Sequence, residues 1–196
     1  MTSLGTARTF KVVEVGLDDY VYLADETDIY VNIAILVDAE GILAAYGNQE
    51  STADAPIGIG SDIGNYLTMA TRHSDTSGQW GPELTISLPV NSTVRWREST
   101  MSLNTQYRAQ LYRYVPDDPN QDILSDVTAY TTTVNLPLPN DKDPLNPSLY
   151  SGHDYYWQAT GQNPGNMSYH WSFMILDKNN NQLGYYTWDP FIEVTS

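Results

Sequence analysis

Asp177, Asn179 and Asn181 alternate in the D-x-N-x-N pattern that opens a calcium loop, where oxygens on every second residue converge on one hard cation. The rest of such a loop is missing. No glycine stands at its sixth position, and its twelfth, where a bidentate glutamate belongs, is Trp188. An EF-hand is excluded, and an Asn-rich hairpin turn is the favoured reading, with calcium the ion these residues would take if they bind one. Asp117, Asp118, Asp122, Asp141 and Asp143 offer further loop oxygens, for which solvated surface charge is the simpler account.

Arg95 and Arg97 alternate with Val94, Trp96 and Glu98 in residues 91–100, the period-two signature of a strand with one packed face. Guanidinium forks match planar acids, so the pair reads as an anion clamp or, more simply, as cross-strand ion pairs with the chain's own carboxylates. His73, His153 and His170 belong to no local ligand pair and are expected in hydrogen-bonded or surface roles. There is no G-x-S-x-G elbow and no motif that poises a nucleophile, a metal or an acid–base pair, so the chain reads as a non-enzyme without a cofactor.

Aromatic composition offers a different chemistry. The chain has 15 tyrosines and 5 tryptophans against 3 phenylalanines, a stock suited to half-buried sheets, interfaces or sugar stacking. Trp80, Tyr112, Tyr155 and Trp188 stand near Asp/Asn loops and are the candidate platforms for a glycan, with or without calcium. With 24 acidic residues against 9 basic ones, net charge −15 and pI 4.2, nucleic acid and anionic membrane are excluded as partners. No cysteine is present, no apolar run approaches membrane length, and the first residues lack the apolar core of a secretory signal, so a cytoplasmic product is expected.

The elements that must position these residues are short strands. Residues 29–37 form a nearly continuous apolar run, as in a central strand covered on both faces, and 39–45 allow about one helical turn before Gly47. Residues 48–64 read as surface loop; Gly58, Gly60 and Gly64 do not make a phosphate-binding motif. Strands follow at 66–71, 83–89, 93–98, 105–115 and 127–134, then a Pro/Asn/Asp-rich excursion over 137–147, and strands at 153–160, 167–176, 183–188 and 191–194. Residues 167–176 are the clearest half-buried strand, with Met167, Tyr169, Trp171, Phe173 and Ile175 on one face. The pattern predicts an all-β, single-domain antiparallel β-sandwich or jelly roll with long acidic loops, over 29–196. Residues 1–28 are expected as an N-terminal arm or hairpin packed on it.

The segments IAILVDAEGILAAYGNQ, STVRWREST, DYYWQATG and NNNQLGYYTWDPFIEV, in this order, resemble the PixA/AidA inclusion body protein family of bacteria. The resemblance implies a non-enzymatic protein that self-associates as a homo-oligomer or an intracellular inclusion, with quorum-sensing or host-associated expression. It implies no catalytic residues. Five methionines in 196 residues do not suggest amino-acid storage.

Overall fold

Residues Thr93–Thr100, the strand β7, alternate half-buried and buried side chains along their whole length, and Val94, Trp96, Glu98 and Thr100 face inward. This is the two-faced strand that the alternation of apolar and charged residues dictates. The computed structural model describes Val12–Val15, as backbone, and residues 30–196.

Around β7 lies a six-stranded sheet. Its order is β1 (Val12–Val15), β9 (Thr128–Leu138), β10 (Ser148–Thr160), β7, β2 (Tyr30–Val37) and β4 (Leu67–Thr71). The second sheet runs β3 (Ile57–Gly58), β12 (Gln182–Trp188), β11 (Gly165–Asp177), β13 (Phe191–Thr195), β6 (Thr85–Pro89) and β5 (Thr76–Ser77), with β8 (Tyr107–Pro116) also paired to β11. The all-β sandwich is as expected. Both sheets are mixed rather than purely antiparallel, because β2 pairs with β7, β1 with β9, β3 with β12 and β6 with β13 in parallel. The chain between β2 and β7 passes through α1 (Ala39–Tyr46) and four further strands, ample for the crossover a parallel pair demands.

Aromatic rings from both sheets interlock in the core. Trp96 meets Trp171 edge-on at 5.6 Å and donates its indole N–H to Tyr169 Oη at 3.1 Å, while Phe173 packs edge-on against Trp188 at 5.6 Å. Such contacts supplement the area these rings remove from water.

Three expectations change. β2 is central in its sheet but covered on one face only: Val31, Ile33, Ile35 and Val37 are buried, whereas Tyr30, Asn32, Ala34 and Leu36 are exposed. A two-layer sandwich has nothing to place over that outer face. α1 makes two turns rather than one, because Asp38 Oδ1 caps it by accepting from Gly41 N at 3.0 Å. A side chain at position 41 would collide with that cap, since a Cβ would lie 2.4 Å from Asp38 Oδ2. Finally, β9 and β10 run past the limits expected at 134 and 153 as a continuing ribbon, in which Leu136, Pro137 and Leu138 pair with Tyr150, Leu149 and Ser148, so the expected excursion shortens only to the loop over 139–147. Of the N-terminal arm, Val12–Val15 adds a parallel edge strand to β9; the remainder of the arm lies outside the described residues.

Candidate functional site

β10 pairs with β7 only from Trp157↔Trp96 to Thr160↔Thr93, while its pairing with β9 continues back to Ser148. The two strands therefore part at Trp96 and Trp157, and four polar side chains occupy the fork. The Arg97 guanidinium bonds Asp154 Oδ1 through Nε at 3.0 Å and Nη2 at 2.7 Å, and lies 3.4 Å from Glu98 Oε1. The Tyr155 hydroxyl donates to Glu98 Oε1, and the Tyr155 ring lies under the Arg97 guanidinium at 4.3 Å. Glu98 is 1% exposed, and its Oε2 has no hydrogen-bond partner among the described residues. Burial raises its pKa from 4.5 to about 7, against the opposing pull of the Arg97 charge and of the backbone amides of Glu98 and Leu111.

Beside the fork a cleft opens between β8, an edge of the second sheet, and the β9–β10 ribbon. One compartment, of about 590 Å³, is bordered by Arg97, Arg108, Asn180 and His153, with Val134, Leu136 and Leu176 as its apolar wall. A second, of about 380 Å³, is bordered by Leu111, Tyr112, Ala129 and Trp157. Gln110, His153, Asp154 and Tyr155 border both, which makes them parts of one cleft. Arg108 Nη1 donates to Asn180 Oδ1 at 2.7 Å and forms no ion pair among the described residues.

The outer face of the first sheet carries a ladder of rings and a cation. Tyr130 stacks on Tyr156 at 5.6 Å and an interplanar angle of 12°, and Arg95 lies over Tyr156 at 4.8 Å and over Tyr30 at 4.6 Å. Arg95 Nε also donates to Gln158 Oε1 at 2.7 Å. The two arginines thus divide: Arg97 pairs with the chain's own acids, and Arg95 is held by aromatic faces and an amide.

The residues singled out by sequence do not converge on one site. Asp177 Oδ1 accepts from the backbone N–H groups of Asn179 and Asn181, and its Oδ2 from Asn181 Nδ2 at 2.7 Å. These bonds hold the Asp177 carboxyl below its usual range, Asn181 foremost. The trio is a self-satisfied turn, since Asn181 turns its amide nitrogen toward the carboxylate that would share the ion. Among the described residues no group of three or more His, Asp or Glu is placed to hold a metal.

Trp188 is 2% exposed and belongs to the core, so it is not a stacking platform. Its alternation with Tyr186 along β12 puts it on the inner face. Trp80 is 76% exposed in a loop at φ 66°. Tyr112 is half-buried, its hydroxyl bonded to Ala53 O at 2.9 Å and its ring edge-on to Tyr185. Of the four aromatic candidates, Tyr112 and Tyr155 border the cleft. His73 Nε2 bonds Ser87 O, His170 Nε2 pairs with Asp117 Oδ1 at 2.8 Å, and His153 borders the cleft. Sequence reasoning missed the burial of Glu98 and the company of Arg108; the inward phase of Glu98 in V-R-W-R-E was the available signal.

No curated protein matches the sequence significantly. The crystal structure of an inclusion body protein (PixA) from Burkholderia cenocepacia J2315 superposes with a TM-score of 0.73 at 16% identity, covering 88% of this chain and 99% of that one, and shares the fold. PbICP-C, solved in complex with falcipain-2, aligns at a TM-score of only 0.26 and 16% identity, over 57% of this chain and 86% of that one, too weak to bear on the argument. The family model described as PixA, inclusion body protein, matches residues 29–194, and the chain belongs to that family.

Proposed function

We propose that this protein is non-enzymatic and self-associates into inclusions in the bacterial cytoplasm, under quorum-sensing or host-associated expression. The observation that carries the reading is the β9–β10 ribbon. Beyond the point where β7 and β10 part, the two strands continue to a tip that carries exposed apolar side chains on both faces. Leu136 and Tyr150 are opposed on one face at 47% and 57% exposure, and Leu149, opposite Pro137 on the other, is 71% exposed. Leu145, in the connecting loop, is 91% exposed. A lone two-stranded ribbon is marginal in water, and clustered apolar exposure of this kind suits contact with a second copy.

Net charge −15 opposes that contact at neutral pH. Association should increase as pH falls from 7 toward 4.2, or as salt and divalent cations screen the acids. The test is the hydrodynamic radius of the purified protein across pH, salt and calcium, with circular dichroism confirming retained β structure. Growth of the radius that Leu149→Asp abolishes supports the reading. A monomer under every condition, with no inclusions in the expressing cell, removes it.

A second reading, a glycan-binding sandwich, is favoured by exposed Trp80 and by the Tyr130, Tyr156 and Tyr30 rings around Arg95. A glycan array with and without calcium tests it; absence of binding at millimolar sugar ends it.

A further inference from the structure

The cleft beside β8 has a polarity. At one end Arg108 and Asn180 form a hydrogen-bonded pair, with Arg97 nearby and His153 on the facing strand. Arg97 already serves Asp154 and Glu98, whereas Arg108 forms no ion pair among the described residues. In a chain of net charge −15, most anions are repelled from the surface, so an exposed guanidinium at the border of a recess, without an ion-pair partner among the described residues, marks a place where one is favoured. Further along the cleft lie the apolar surfaces of the second compartment, Leu111 of β8 and Tyr155 and Trp157 of β10, with Tyr112 four residues on from Arg108. At the rise of a strand, Arg108 and Tyr112 are about 13 Å apart. Both compartments fall within the size range of small-molecule sites, roughly 300–1,000 Å³, in which a few polar groups orient a mostly apolar ligand.

We propose that the cleft between β8 and the β9–β10 ribbon binds an elongated amphipathic carboxylate, its acid group on Arg108 and its apolar body against Leu111, Tyr155 and Trp157. Asn180 holds one N–H of the guanidinium through its amide oxygen, leaving the remaining N–H donors of Arg108 for the ligand. Gln110 stands at the waist shared by the two compartments. The body of the ligand passes it.

Calorimetric titration with octanoate, acetate and 1-octanol separates the two halves of this claim, because acetate has the head without the body and 1-octanol the body without the charge. Octanoate, kept below its micelle concentration, should bind saturably at one site, with acetate and 1-octanol each about tenfold weaker or more. Arg108→Gln should weaken octanoate about tenfold and leave 1-octanol unchanged. Gln110→Trp, at an exposed position, should block octanoate by filling the waist. Circular dichroism and thermal midpoints establish that both variants are folded. Acetate binding as tightly as octanoate, 1-octanol binding as tightly as octanoate, no saturable octanoate binding, or wild-type octanoate affinity in both variants would each overturn the proposal.

Discussion

The Tyr155 hydroxyl donates to Glu98 Oε1, a carboxylate 57 residues away in sequence that the fold has removed almost wholly from water. In an unfolded chain the Glu98 carboxyl would lose its own proton near the ordinary value of 4.5, whereas in the folded chain burial makes it hold that proton until about 7. Between those values the folded state binds more protons than the unfolded one, so stability falls as pH rises from about 4.5 to about 7 and is lower above. The contribution is on the order of 3 kcal/mol. Denaturant melts at pH 5 and pH 8 should show this loss, and Glu98→Gln should flatten it. An equal slope in the variant would assign the dependence to other groups.

Arg97 and Asp154 are paired at 2.7 Å but are 37% and 46% exposed. Asp154→Asn should therefore cost only about 0.2–1 kcal/mol. Arg97→Met should cost more at pH 8 than at pH 5, because at the higher pH it leaves a buried charge on Glu98 without its counter-ion. Chemical denaturation of both variants at the two pH values measures the difference, and a pH-independent cost would show that Glu98 does not depend on Arg97.

Tryptophans 188 and 80 should respond oppositely to truncation. Trp188→Ala should cost about 3–5 kcal/mol, since the ring is enclosed by Phe173 and its neighbours. Trp80→Ala, at a site 76% exposed, should change stability by no more than about 0.5 kcal/mol. Urea midpoints decide it.

Calcium should not stabilise the monomer. Asp177 spends both oxygens on Asn179 and Asn181, so chelator or added calcium should leave the thermal midpoint unmoved, while Asp177→Ala should lower it by opening the turn. A calcium-dependent rise lost in Asp177→Ala would restore the loop as a cation site.

Strands whose two faces differ in character were legible in the sequence. β7 and β11 read correctly because charge or hydroxyl alternates with large rings, and period two is the geometry of a strand. β2 misled because Ala34 and Leu36 are apolar yet exposed, and composition cannot show where a second layer ends. The ribbon was hidden by Pro137 and its Asn and Asp neighbours, turn-forming residues that here sit in or beside an edge-like pair where no third strand needs their amides. The phase of Glu98 was readable. That Asp154 and Tyr155 would meet it was not, since the contact depends on where β7 and β10 part.

The parallel pairing of β13 with β6 joins Phe191–Thr195 to Thr85–Pro89, and β13 also covers the beginning of β11. During synthesis the second sheet therefore stays open at β6 and β11 until the last of these segments has left the ribosome. An early strand waits about a hundred residues for its neighbour, which makes folding dependent on distant contacts and slow to complete. Through that interval unpaired strand edges of many nascent chains coexist, so the rate of translation, and not only the surface of the finished molecule, bears on how much of the protein ends in ordered assemblies and how much in misfolded aggregate.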